Sequence, residues 1–367
     1  MHELREGRFE EFFAVPFECY GRDSLYVSPF EPDLRRLLSR ANPLFRENDF
    51  ALYTVSRAGR PVGRLVAHVH AASNTRHRLA RSYFGYFDCA DDETAARILL
   101  DAAERWGRSR GFREIAGNFN LTAMQQMGVV TDGFDGVPYT DQMYNPPHLP
   151  SLLARCGYEP SFPMRTFEVD LNLCDPAVLM GPKQAALLAG DGVEWRRVTA
   201  LAFRRLMRDA CAVLNDGFLD NPLFVPLTEE EFFFHAREML WIMDRRISVL
   251  AYQEGRPIGV VVCIPDLNPF LRATGSSVRW TTPLHYLRHR LTRRRAVILF
   301  YSVHRAFHGR GLNGAMLARV VTAVKRAGYR RLGITWIADV NGPSLRQVEK
   351  LGARPLHRLH LFRKSLA

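Results

Sequence analysis

No window of this chain approaches the ~18 consecutive apolar residues that mark a membrane-spanning helix. The N-terminus, MHELREGRFEEFF, is charged and lacks the apolar centre of a secretory signal, so a cytoplasmic protein is expected. Cysteine is sparse. The six residues, Cys19, Cys89, Cys156, Cys174, Cys211 and Cys263, stand far apart with no C-x-x-C, which argues against a zinc site and a disulfide framework. Acid is short relative to base. Against 50 Lys and Arg there are 38 Asp and Glu, a net charge of +12, so an anionic partner is expected.

What is present suits a globular protein. A chain of 367 residues, 47% hydrophobic, predicts two domains of ordinary size. The most informative stretch is His308-Gly309-Arg310-Gly311-Leu312-Asn313-Gly314-Ala315. It follows a strand-like run ending at Val303 and precedes a helix-like run over 316–327. Glycines between a strand and a helix start let backbone N–H groups approach a pyrophosphate, and the helix dipole favours the anion. The spacing matches neither the G-x-G-x-x-G dinucleotide fingerprint nor a P-loop. Residues 331–337 read as a second strand, and Asn341 as the N-cap of a helix that stops at Gly352.

The loop resembles the acyl-CoA loop of the GNAT N-acyltransferases, [QR]-x-x-G-x-[GA], with His308 at the Gln/Arg position and Asn313 at the last. Asn341, Ser344 and Gly352 match the second block of that superfamily. Val348 stands where a tyrosine often serves as general acid. The resemblance implies an α/β fold with a mixed sheet and acyl-CoA as co-substrate. It implies binding by Val303, His308, Gly309, Arg310, Gly311, Leu312, Asn313, Gly314, Asn341 and Ser344. No metal is expected.

The chain also repeats itself. Ala58-Gly59-Arg60-Pro61-Val62-Gly63 matches Glu254-Gly255-Arg256-Pro257-Ile258-Gly259, each between strand-like runs, so each predicts a hairpin. Arg155-Cys156-Gly157 matches Lys350-Leu351-Gly352 at nearly the same offset. A tandem duplication is the economical account. It predicts two GNAT-like domains, 1–174 and 186–367, each a mixed central sheet flanked by helices. The first domain carries Asp91-Asp92-Glu93 where the second is rich in Gly and Arg. Carboxylates there would repel a pyrophosphate, and they equally suit the first turn of a helix. CoA is therefore expected only on the second domain.

The first domain has a long insertion, 118–148, poor in periodicity. Long loops of this kind are often functional, and Asp132, Asp135, Tyr139, Asp141 and Tyr144 are candidates to line an acceptor pocket. A loop at 215–222 offers Asp216, either to bind an amine or as a turn residue. A second insertion, 280–295, sets Trp280, Leu284, Leu287 and Leu291 at helical spacing among arginines. Such a stripe resembles an interfacial membrane helix. A surface helix with a solvated basic face is the alternative. Nucleic acid is disfavoured because no binding motif accompanies the arginines.

The whole chain is similar to tandem GNAT proteins of Gram-negative bacteria, through Gly117-Asn118-Phe119-Asn120, Asp132-Gly133-Phe134-Asp135, Tyr144-Asn145-Pro146-Pro147 and Phe224-Val225-Pro226-Leu227. Some of these resemble bacterial ceramide synthases. That implies an N-acyltransferase using a long-chain acyl-CoA and a sphingoid base, peripheral on the cytoplasmic membrane. A soluble acetyltransferase of a small amine, an enzyme served by an acyl carrier protein, and a non-catalytic acyl-CoA-binding protein stay open. Acylation of an amine needs a proton acceptor. His304, an imidazole bordering the acyl site, is the first candidate and Asp339 the second, with Tyr301 as acid. Alternation along the strand puts Ile298, Phe300, Ser302 and His304 on one face.

Overall fold

The computed structural model describes every residue except Arg22, Glu47, Glu238 and Ala367. The chain opens with β1 (His2–Glu6), α1 (Phe9–Tyr20), α2 (Glu31–Leu37), β2 (Phe50–Arg57), β3 (Arg60–His68), α3 (Ala71–His77) and β4 (Arg81–Cys89). Next come α4 (Glu93–Arg108), β5 (Glu114–Gly117), β6 (Val129–Asp132), α5 (His148–Arg155), β7 (Glu159–Asp170), α6 (Pro182–Ala189) and β8 (Glu194–Arg197). The second half continues with α7 (Phe203–Gly217), α8 (Glu229–Ala236), α9 (Met239–Ile242), β9 (Val249–Gln253), β10 (Arg256–Pro265), α10 (Asn268–Thr274) and α11 (Thr282–Thr292). Last are β11 (Arg295–Val303), α12 (Leu312–Arg326), β12 (Arg331–Ala338), α13 (Gly342–Lys350) and β13 (Arg354–Ser365).

Two compact units divide these elements. One holds Met1–Arg165, Phe270–His285 and Leu356–Ala367, the other Thr166–Pro269 and Tyr286–Pro355. The division differs from a single cut in the 174–186 region, because the terminal strand of the second half pairs with the first. β13 lies antiparallel to β5, with Phe362 opposite Gly117 and Ser365 opposite Glu114.

The first unit orders its strands β1-β2-β3-β4-β5-β13, antiparallel except for the parallel β4–β5 step. The second repeats the pattern as β8-β9-β10-β11-β12, again antiparallel except for β11–β12. Both hairpins turn identically. Ala58 and Gly59 have φ of 50° and 78°, and Glu254 and Gly255 have 49° and 77°. Positive φ at both central positions marks the turn that suits strand twist, and its recurrence in both halves accords with duplication.

The amphipathic α4 buries Ala96, Leu99, Leu100 and Ala103 against the first sheet. α12 does the same in the second unit with Met316, Val320, Val321 and Val324. Each helix follows the strand that begins its unit's parallel pair, so each helix N-terminus lies at the C-terminal end of that strand.

Candidate active site

In the second unit the parallel ladder stops at Ile298 opposite Ile334, while both strands run on to Val303 and Ala338. A bulge helps to part them. Val262 pairs with Phe300 and Cys263 with Ile298, leaving Leu299 as the extra residue. The bulge corrects the face assignment made from alternation. Gly259, Val261 and Cys263 oppose Val303, Tyr301 and Ile298, and a Cβ on Gly259 would strike Met316 of α12. Ile298 therefore shares the α12 face with Tyr301 and Val303, not with Ser302.

The loop after β11 is a short 3-10 turn, Arg305–Phe307, then Gly309 at φ 74° and Gly311 at φ 87°. Gly311 is the N-cap of α12 and provides no side-chain cap. No carboxylate stands in the first turn of that helix. Its leading N–H groups are thus open to an anion, as a pyrophosphate requires. Arg310 lies 5.2 Å over the Phe307 ring. His308 bonds back to the Val303 carbonyl through Nε2 at 3.0 Å, bracing the loop. The donor set fits coenzyme A. Both glycines sit on a left-handed backbone, but a Cβ at Gly311 would also lie 3.0 Å from Gln184 Nε2, whereas one at Gly309 meets open space. Gly311→Val is therefore expected to weaken CoA binding at least tenfold by calorimetry, from roughly 1–3 kcal/mol of backbone strain. Gly309→Ala should cost less, and equal effects would show that loop shape is not the determinant.

The helix α7 closes on β11 from its other face. Ser302 Oγ donates to the Val213 carbonyl at 3.2 Å. A Cβ on Gly217 would collide with Ser302 Oγ and come within 2.8 Å of the Val303 carbonyl. That approach carries Asp216 to the end of the strand. Its Oδ2 accepts from the Arg305 N–H at 2.6 Å and lies 3.3 Å from His304 Nδ1. The same Nδ1 accepts from the Ala306 N–H at 3.2 Å. Asp216, read as an acceptor ligand or turn residue, instead faces the imidazole. Asn215 fixes this helix end by bonding Leu227 through both amide atoms, at 2.8 and 2.9 Å.

The other candidates fall as follows. Tyr301 donates its hydroxyl to the Asn313 carbonyl, tying β11 to the first turn of α12. Burial pushes this phenol well up, which weakens it as an acid. Asp339 follows the end of β12. Asn341 caps α13, its Oδ1 accepting from the Ser344 N–H at 3.2 Å. Val348 is buried in the core.

The first unit fills its corresponding gap with its own chain. The β4–β5 ladder ends at Tyr83 opposite Ala116. Beyond it the Phe119 N–H donates to the Phe84 carbonyl at 2.8 Å. Asn120 Oδ1 accepts from the Tyr86 N–H at 2.6 Å, and Asn118 Oδ1 from the Phe87 N–H at 3.3 Å. Gly85 and Gly117 permit this approach, since a Cβ on either would strike the Phe119 or Phe84 carbonyl. At the helix, Asp92 caps α4 through the Ala95 N–H at 3.0 Å and pairs with Arg57 at 2.7 Å. Strand and helix terminus are thus both satisfied internally.

Most acidic and aromatic candidates of the 118–148 loop serve the loop itself. Asp132 Oδ1 accepts from the Gly133 N–H. The Tyr144 hydroxyl donates to the Phe134 carbonyl at 3.1 Å. Tyr139 is fully buried and Asp135 exposed. Asp141, at φ 66°, is half-buried, and desolvation pushes its carboxyl up to about 7. A carboxyl raised on folding opposes stability only once it must ionise, so the cost is absent below about pH 4 and complete above about pH 7. Asp141→Asn, which tolerates this backbone, should raise the melting temperature at pH 8 and not at pH 4. An equal rise at both would remove ionisation as the cause.

The profile of the Acetyltransferase (GNAT) family matches residues 215–353, which span the Asp216 segment, the β11 loop and α13. The chain carries a GNAT domain there and is a GNAT-type N-acyltransferase. Along its full length it is similar to a protein of Caulobacter vibrioides named bacterial ceramide synthase, 25% identical over 370 residues, covering 98% of this chain and 95% of that one. Protein YghO of Escherichia coli is 24% identical over 373 residues, covering 99% and 94%. The fold is that of a tandem GNAT protein from the clavulanic acid biosynthesis pathway, with a TM-score of 0.61 across 100% of this chain and 99% of that one at 14% identity.

Proposed function

We propose that this protein transfers a long-chain acyl group from coenzyme A to a primary amine of sphingoid type, working at a membrane surface. The observation that carries the lipid reading is the outer face of α11 and the residues before it. Trp280 is 93% exposed, Leu284 66%, Leu287 55% and Leu291 76%. Arg288, Arg290 and Arg294 are exposed beside them. Arg293 and Arg295 turn inward to Asp244 and Asp266, and His289 is buried on the opposite side. Thr282 accepts the Arg279 N–H at 2.8 Å, closing the turn ahead of the helix. Apolar side chains rimmed by arginine suit an anionic bilayer. Among the described residues no helix is long and apolar enough to cross one. The name of the Caulobacter relative supports the same acceptor class.

In this reading the α12 N-terminus holds the pyrophosphate, with Arg310 beside it. The parted end of β11 offers backbone amides to the thioester carbonyl. When Nδ1 gives up the bond it accepts from the Ala306 N–H and carries its proton toward Asp216, His304 presents Nε2 to take a proton from the attacking amine.

The test is acyl transfer with palmitoyl-CoA and sphinganine against acetyl-CoA and small amines. Preference for the lipid pair supports the proposal, and turnover confined to acetyl-CoA would replace it with a small-amine acetyltransferase. Separately, Leu284→Asp with Leu287→Asp is expected to lower flotation with phosphatidylglycerol vesicles tenfold or more while leaving CoA affinity intact. Undiminished flotation would disconnect α11 from the bilayer.

A further inference from the structure

Away from the acyl-CoA loop, the second unit has a cavity of ≈ 290 Å³ between α12, β8 and the turn before β9. Four guanidinium side chains line it: Arg197, Arg246, Arg319 and Arg326. Arg319, Thr322, Ala323 and Arg326 recur at helical spacing, so one face of α12 forms a wall. Arg319 lies two helical turns past Gly311, about 12 Å along the axis at 1.5 Å per residue.

The charges are not balanced within the protein. Arg246 pairs with Asp244 at 2.7 Å. Arg197, Arg319 and Arg326 have no carboxylate partner among the described residues. The Arg319 guanidinium rests 5.0 Å over the Trp195 ring. Burial and the neighbouring Arg197 charge both hold its pKa below the ordinary value, with no acid offsetting them. The charged groups that line the pocket with Arg319 are Arg197 from β8, Arg326 from its own helix, and Arg246 from the turn, the last of these paired with Asp244. Like charges gathered in a concave, partly apolar site concentrate positive potential there.

We propose that this arginine pocket binds a phosphate group, carried by a small soluble compound or by a lipid headgroup. Guanidinium groups match phosphate oxygens in paired hydrogen bonds. The Thr322 hydroxyl adds a donor on the same wall. The volume is near the lower end of small-ligand sites, enough for a phosphate and a short substituent. The pocket shares no residue with the acyl-transfer site, so the two readings stand or fall separately.

Titration of the full chain with inorganic phosphate by calorimetry tests it. Binding is expected in the native protein, weakened tenfold or more by Arg319→Gln and by the exposed Arg197→Gln, and unchanged by Arg310→Ala at the acyl-CoA loop. Without phosphate, Arg319→Gln should melt no lower than the native protein, because no ion pair is lost. Flotation with phosphatidylglycerol vesicles separates the sources. A loss on Arg319→Gln assigns a headgroup, and unchanged flotation with lost phosphate binding assigns a soluble ligand. No phosphate binding to the native protein, or equal binding in it and both pocket variants, overturns the proposal.

Discussion

His304→Ala is expected to lower kcat by about 10²–10³-fold with little change in the KM for acyl-CoA, since a positioned general base contributes about 10²–10⁴. The expectation rests on Asp216. Its carboxylate is held by the Arg305 N–H at 2.6 Å and faces Nδ1 at 3.3 Å. Against the Ala306 N–H that Nδ1 accepts, it can draw a proton to Nδ1, leaving Nε2 free, and then stabilise the imidazolium that forms. Asp216→Asn keeps an oxygen for the Arg305 N–H but loses the charge, so a drop of about tenfold is expected. Groups acting as one unit are not additive, so the double variant should be no slower than His304→Ala alone. The acidic limb of the pH–rate profile should vanish with the imidazole. A profile unaltered in His304→Ala would remove it as the base. A fully multiplicative double variant would show that Asp216 acts elsewhere.

Much of this arrangement was legible in the sequence where local rules act. The strand, glycine loop and helix at 295–326 follow from an apolar run, positive-φ glycines and helical periodicity. The Asn341 cap follows from residue type. The hairpin repeat was visible because a two-residue turn depends on its own residues. What escaped were features made by distant segments. The bulge at Leu299 arises from register against β10 and leaves no mark in the alternation. Asp216 reaches His304 only because Gly217 lets α7 approach β11, and a lone glycine at a helix end reads equally well as a stop signal. Asn118-Phe119-Asn120 read as the start of an acceptor loop, but its amides occupy the open backbone of β4. Two asparagines flanking an aromatic residue after a strand were the available hint. The exchange of β13 into the first unit has no local signature.

Arg64 and Asp88 were likewise missed, and Asp88→Asn is expected to cost the first unit about 3–5 kcal/mol, the usual penalty for leaving a buried charge without its partner. Arg64 is completely buried and Asp88 nearly so, at 5% exposure. The carboxylate accepts from Arg64 Nε at 2.8 Å, from Nη2 at 2.7 Å and from the Tyr20 hydroxyl at 2.8 Å. The guanidinium also donates to the Phe12 carbonyl at 3.1 Å and the Tyr26 hydroxyl at 2.8 Å. An amide could accept one of these bonds but would turn its own N–H groups toward a cation. Neither phenol can stand in as counter-charge, because burial pushes both Tyr20 and Tyr26 up. Combining Arg64→Met with Asp88→Leu removes both charges, so the pair should lose less than either charge-breaking single change. Urea unfolding of the four proteins gives the cycle. A single-variant loss below about 1 kcal/mol would mean that water reaches the pair on relaxation. The predicted loss would identify the pair as the anchor joining α1, β3 and β4, the strand on which the Asn118–Asn120 segment closes.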